Sequence, residues 1–338
     1  RIHFLSIKAS AGLVLRISDI SKEFAYNFLT LNSVNDVLSK LPDFEDTPFC
    51  LYEVSKGKSE AELSSELLAL RKSLRDCFIC VVTDEDDSKR VMEVIRKSGA
   101  NLVLNHGDAT KTSRLEFVAS QIIRGSYAQV KVAEFPQDVV LDFSLYHLMP
   151  LNQKMLPVLP RGTAFSEGRL KKLMDVSELF VKRDELDKYR LYMDGRSEAT
   201  SGGLKAKARA KFLSYCSSHS QLIFSLIDRS EENSSKEGKW LYDRCEILGK
   251  DLLKSLSGLS ESWEVLNNSS IGEFGSLERA PTVSAYAGLL SLLASIGEPM
   301  DVMMATLLAD LGILDLSPEV AGQIRKSQSA EGLPDVDL

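Results

Sequence analysis

The chain has 338 residues, 44% hydrophobic and 26% charged, a length and composition suited to two or three soluble globular domains with sizeable cores. A formal net charge of -7 offers no basic footprint for nucleic acid, and the basic stretch from Lys205 to Lys211 reads as a solvated helix face. No run approaches the ~18–20 uninterrupted apolar residues of a membrane-spanning helix, so membrane insertion is not expected.

The most apolar segment, Val283 to Leu314, is interrupted by Gly297-Glu298-Pro299 and carries Asp301 and Asp310, which divides it into two soluble helices. Five cysteines, an odd number set in apolar runs, differ from a secreted disulfide framework and point to a reducing, cytoplasmic compartment. No signal peptide is expected, although the chain opens at Arg1. Cys77 and Cys80 form a C-x-x-C inside a strand-like run, where residues three apart face opposite sides; core filling is expected of them.

In chain order, Leu13 to Ile17, Phe49 to Tyr52, Phe78 to Val82 and Leu102 to Leu104 are short apolar runs bounded by polar or turn residues, as buried parallel strands are. Leu63 to Leu74 and Ser88 to Lys97 carry apolar positions at helical spacing. This alternation predicts a doubly wound α/β domain over residues 1–132. The domain resembles a response-regulator receiver domain. Gly99-Ala100 stands where that family has the same pair before its last strand, Asp19 falls at the acidic pair, Glu53 at the phosphoacceptor Asp, Thr83 at the Thr and His106 at the Lys. Phosphoryl transfer to a carboxylate needs a metal ion and a cation to offset developing charge, and this set supplies one acid and no lysine. The resemblance therefore implies a pseudo-receiver that is not phosphorylated. Glu53 is either an acid at a strand end or a built-in charge mimic of phosphorylation.

Residues 133–194 read as a small β-rich module with strands at Val139 to Phe143, Lys154 to Val158 and Glu178 to Val181, and turn signals at Asn152 and Pro160 to Gly162. Phe180-Val-Lys-Arg-Asp184 followed by Asp187-Lys-Tyr189 resembles the module that precedes HD-GYP domains. Asp194-Gly195 and Ser201 to Gly203 then mark a hinge into a helical region, 195–338. Leu204, Ala208, Phe212, Tyr215, Leu222 and Leu226 share one stripe with His219, which reads as a core residue. Leu241, Cys245, Leu248, Leu252 and Leu256 repeat at nearly heptad spacing, as intramolecular packing or a dimer seam would require.

Pro281-Thr-Val-Ser-Ala-Tyr-Ala287, with Leu289-Leu290 and Leu292-Leu293 after it, leads to Thr306-Leu-Leu-Ala-Asp-Leu-Gly-Ile313, and together they resemble the two signature helices of a bacterial HD-GYP phosphodiesterase. In that family His residues and a His-Asp pair hold clustered metals that activate water. Here Pro281 stands for the first His, Ala309 for the His of the pair and Ile313 for the following Lys, while Asp310 keeps the Asp; one carboxylate cannot hold such a centre. The resemblance thus implies an incomplete HD-GYP-like domain with no metal and no cofactor. The chain reads as a non-catalytic pseudoenzyme of cyclic-di-GMP signalling that acts on other signalling proteins and pairs as a homodimer. Ala309 and Ile313 are expected to seat the signature helices against each other in a closed, dry site. Two alternatives remain: a phosphodiesterase completed by residues outside the chain, with Asp310 as a ligand, or a cyclic-di-GMP-binding effector using Arg161 and Arg169.

Overall fold

The computed structural model describes residues 3–23, 26–40, 47–84, 89–124, 127–135, 139–149, 154–164, 166, 168, 171, 173, 178–196, 201–229, 234–269 and 275–327. Its contacts gather into two compact units, residues 1–123, 223–238 and 312–338 in one and 124–222 and 239–311 in the other, a grouping that does not follow the three consecutive segments read from the sequence.

In the first unit, β1 (His3–Ile7), β2 (Asn27–Leu31), β3 (Phe49–Glu53), β4 (Phe78–Thr83) and β5 (Leu102–Asn105) form a sheet in the order β2-β1-β3-β4-β5 with every pairing parallel. That order is the flavodoxin-like, doubly wound one. Phe49 to Tyr52 and Leu102 to Leu104 are fully buried, as strands covered on both faces must be. Between the strands run α1 (Ala11–Glu23), α2 (Val34–Ser39), α3 (Glu60–Ser73) and α4 (Lys89–Lys97), and α5 (His106–Lys111) and α6 (Arg114–Arg124) follow β5. Capping boxes open α2 at Ser33/Asp36 and α3 at Ser59/Glu62, where side chains satisfy backbone N–H groups that have no intrahelical partner.

One predicted strand is a helix. Leu13 to Ile17 lies in α1, because Leu13, Ile17 and Ile20 are buried at helical spacing while Leu15 is exposed. The first two strands of the sheet, β1 and β2, were not anticipated. Gly99, by contrast, is explained. Its φ of 104° suits glycine alone, and a Cβ there would stand 2.9 Å from Cγ of Arg71, whose guanidinium donates to the Gly99 and Cys77 carbonyls at 2.7–2.9 Å.

The edge strand β5 would leave backbone groups unpaired. Asp228 and Arg229 close them: Val103 N–H donates to Asp228 Oδ1 at 3.2 Å, and Arg229 N–H donates to the Val103 carbonyl at 3.0 Å. Phe224 packs beside Phe78 and Phe117, with ring centroids 5.7 and 6.0 Å away. A 3-10 turn, Leu311–Asp315, and a further helix of the unit, Pro318–Ser327, follow later in the chain; the Ser113 hydroxyl donates to the Ile313 carbonyl at 2.6 Å.

In the second unit, β6 (Tyr127–Lys131), β7 (Leu145–Met149), β8 (Lys154–Leu159) and β9 (Glu178–Lys182) form an antiparallel sheet in the order β6-β9-β7-β8. The predicted strand over Val139 to Phe143 reduces to one bridge, Val140 to Ala164, with Leu141 and Phe143 buried; the Asn152 turn lies outside the described residues. Its helices are α7 (Leu186–Gly195), α8 (Ser201–Ile227) up to residue 222, α9 (Ser234–Ser257) from residue 239, α10 (Ser262–Ser269), α11 (Gly275–Ala294) and α12 (Pro299–Leu308).

The sheet shares one core with α7 and α8, since Phe143, Leu179, Val181 and Tyr189 cluster with Ala206, Ala210 and Leu213. A buried carboxylate reinforces this junction. Glu134 accepts from the Tyr189 hydroxyl at 2.6 Å and pairs with Arg209 of α8 at 2.8 Å; burial nevertheless raises its pKa, against the opposing charge of Arg209. Module and helix are thereby joined where the sequence placed a hinge. A second core joins Phe212, Tyr215, Cys245, Leu252, Leu289 and Met303. Helices α11 and α12 approach closely at Gly288, where a Cβ would stand 2.5 Å from Met303 Cγ.

Candidate functional site

In doubly wound sheets, ligands sit beyond the carboxyl ends of the strands, at the point where the strand order reverses. Here that point lies between β1 and β3. Lys8 leaves β1 with φ 59°, a left-handed conformation uncommon outside glycine. Ser10 then caps α1, its carbonyl accepting from Val14 N–H at 2.9 Å. Glu53 ends β3 and turns its carboxylate onto this helix start: Oε2 accepts from Ser10 N–H, and Oε1 stands 3.2 Å from Nδ1 of His106, the first residue of α5. A helix N-terminus favours negative charge, and in this unit the chain's own carboxylate takes that place.

Thr83 is buried at the end of β4 with its hydroxyl directed to the Leu104 carbonyl at 3.4 Å. Asp19, expected at the acidic pair, is displaced from this edge. It lies in α1, largely exposed, 3.1 Å from Lys22, because the segment read as the first strand is helical. Lys8 occupies the strand end instead. Its ammonium and that of Lys58 converge on Glu66, with Lys8 at 3.1 Å, while the Tyr52 hydroxyl donates to the same carboxylate at 2.5 Å. Burial works to raise the Glu66 carboxyl, and hydrogen bonds from Lys58, Tyr52 and Lys8 outweigh it, so its pKa falls below the usual value. Burial lowers the Lys58 ammonium, with Glu66 opposing the shift.

The HD-like positions do not form one cluster. Pro281 is buried inside α11, three residues before a hydrogen-bonded chain in which the Tyr215 hydroxyl pairs with Ser284 Oγ at 2.7 Å and Ser284 donates to the Met303 carbonyl at 2.6 Å. Ala309 caps the end of α12 and is exposed, as is Asp310. This corrects the expectation that Ala309 packs between the signature helices. The buried face of α12 is Met303, Met304 and Leu307, and two residues past Leu307 a helix has turned about 200°. Ile313 is buried, as expected of an apolar residue, but within the first unit. Among the described residues no three His, Cys, Asp or Glu side chains gather closely enough to hold a metal ion.

No protein-family model matches this chain, and no curated protein matches it. Among solved structures it is similar to Bd1817, a HDG"Y"P protein from Bdellovibrio bacteriovorus, at 18% identity, covering 62% of this chain and 74% of that one with a TM-score of 0.34. It is also similar to a protein described as pilus assembly-related from Burkholderia pseudomallei, at 13% identity, covering 31% of this chain and 78% of that one with a TM-score of 0.27. TM-scores this low assign neither a domain arrangement nor an activity.

Of the remaining sequence-level candidates, Arg161 pairs with Asp142 at 2.6 Å on the surface, and Arg169 lies outside the described residues. All five cysteines are buried and free, and burial raises each thiol. His219 is buried in the helical core, where burial first and the charge of Arg183 second lower its pKa to about 4, against a backbone hydrogen bond with Leu307. No described helix is long and apolar enough to cross a membrane. Sequence reasoning missed Lys8, Ser10 and Ser284. Only Lys8 carried a signal, a charge directly after the apolar run Phe4 to Ile7.

Proposed function

We propose that this chain is a non-catalytic signalling protein of HD-GYP-like lineage that acts through protein–protein contacts. The observation that carries the reading is the clasp of Glu53 onto Ser10 N–H and His106. A phosphoacceptor must present a carboxylate to an incoming phosphoryl group beside a metal and a cation. This carboxylate is instead committed to a helix N-terminus and an imidazole, so the edge behaves as a receiver-like surface held in one state. The replacement of His and Lys positions by Pro281, Ala309 and Ile313 supports the same reading for the helical region.

Incubation with acetyl phosphate and magnesium is expected to leave the intact mass unchanged. Incubation with cyclic-di-GMP and manganese or ferrous iron is expected to give no linear or mononucleotide product. A labile phosphoryl adduct overturns the clasp as a closed site, and metal-dependent turnover overturns the non-catalytic reading.

A further inference from the structure

Helix α11, with Ile296 two residues past its end, leaves an apolar face uncovered. From Ala280 to Gly297 the chain carries no charged residue. Ser284, Ala285 and Leu289 are buried against the rest of the second unit, whereas Val283, Leu290, Leu293 and Ile296 are 48%, 55%, 62% and 69% exposed. Val283 and Leu290 are seven residues apart, and so are Tyr286 and Leu293, the repeat with which one helix presents a seam to another. Trp263 of α10, itself 37% exposed, stacks on Tyr286 with ring centroids 5.1 Å apart, so an aromatic pair of the kind enriched at binding hot spots extends the seam.

We propose that this face is an interface between two copies of the chain, paired antiparallel along α11. The charge pattern selects that partner. A charged surface laid on this seam would lose solvent without gaining a counter-charge, whereas a second copy offers an equally uncharged seam with the same seven-residue repeat, the self-complementarity that a two-fold contact needs. The size agrees as well. Half-exposed side chains of this number present on the order of 500 Å² of apolar surface, the upper range for a monomer's largest patch. Two such faces bury roughly 1,000 Å², the lower bound of a specific interface. Because the stripe runs from 283 to 296, a two-fold axis at its centre brings the two copies of residue 290 side by side. The inference names the partner for the interaction role proposed above.

Sedimentation velocity of the full chain from about 1 to about 100 µM is the first measurement, and dimers are expected to accumulate toward the upper end. The double variant Leu290→Glu/Leu293→Glu is expected to weaken association at least about tenfold with an unchanged melting curve, since both side chains are exposed in the single chain. Leu290→Cys gives a second readout that does not depend on tolerance of charge. Because the five native thiols are buried, mild oxidation is expected to give a disulfide-linked dimer, whereas Leu226→Cys, exposed elsewhere, stays monomeric. A wild-type chain that is monomeric throughout, a dimer indifferent to both glutamates, or equal cross-linking from positions 226 and 290 overturns the proposal. Each of these results leaves the non-catalytic reading standing, because that reading is decided by phosphoryl transfer and phosphodiester turnover.

Discussion

The carboxyl edge of the parallel sheet and the α11–α12 hairpin both stand where the sequence resembles a family's working site, and they hold opposite kinds of chemistry. At the sheet edge the side chains remained polar. Glu53, His106, Lys8 and Lys58 are partly exposed, and each closes on a donor or acceptor of the chain itself. In the hairpin the described hydroxyls buried beside Pro281 form the chain Tyr215–Ser284–Met303. Charges that keep some contact with solvent can exchange part of their partner for water, so rearranging them costs less than in a closed core. A hydroxyl or imidazole inside a helical core has no such substitute, so its partner decides whether it can be tolerated.

If that contrast is right, changes in the helical core should outweigh changes at the sheet edge. The largest expected effect is that of pH on His219. Its unfolded pKa is near 6.5 and its folded pKa about 4, so between these values the unfolded chain binds the extra proton. Stability from this group is complete above pH 6.5, falls as the pH drops toward 4, and amounts to about 2–3 kcal/mol over that window. Urea unfolding of wild type and His219→Leu at pH 7.5 and at pH 4.5 measures it; the wild type should lose more on acidification by roughly that amount, and equal losses would place the imidazole in contact with solvent.

Next in size is Ser284→Ala. Ser284 donates to the Met303 carbonyl, which leaves its oxygen to accept from Tyr215. The alanine variant strands the Tyr215 hydroxyl in the core and is expected to cost about 2 kcal/mol, whereas Tyr215→Phe, which keeps Ser284 bonded to Met303, should cost about 1. Reversal of that order in thermal or urea unfolding would contradict the assigned direction of the hydrogen bonds.

The smallest effect sharpens the contrast from the other side. Glu53→Gln keeps an acceptor for Ser10 N–H and removes the charge that faces both the start of α1 and a His106 side chain that is 41% exposed. The expected loss is under about 1 kcal/mol. A loss above about 2 kcal/mol would mean that the sheet edge behaves as a buried network, and the two regions would no longer differ in kind.

Several elements were legible from composition and period. The runs around Phe49, Phe78 and Leu102 are short, rich in β-branched, aromatic and aliphatic residues and bounded by polar or turn residues, the pattern of a strand covered on both faces. The long α8 and α9 declared themselves through repeats at helical spacing, and Gly99 through its place before the last strand. The run Leu13 to Ile17 misled, because four apolar residues in five satisfy both a buried strand and a helix seen through its inward positions. Only the packing of Leu13, Ile17 and Ile20 on the sheet selected the helix.

The sequence by itself determined that the chain is α/β followed by helices and that Cys77 and Cys80 fill the core. Tertiary structure decided the remainder. It set Glu53 against Ser10 and His106, which lie 43 and 53 residues away in sequence, exposed Ala309 where packing was expected, and closed the edge of β5 with Asp228 and Arg229. The physical reason is range. Propensity and period act over a few residues and are written into adjacent positions, whereas the partner of a carboxylate or of an open strand edge comes from wherever the fold returns the chain, and no local pattern records that place.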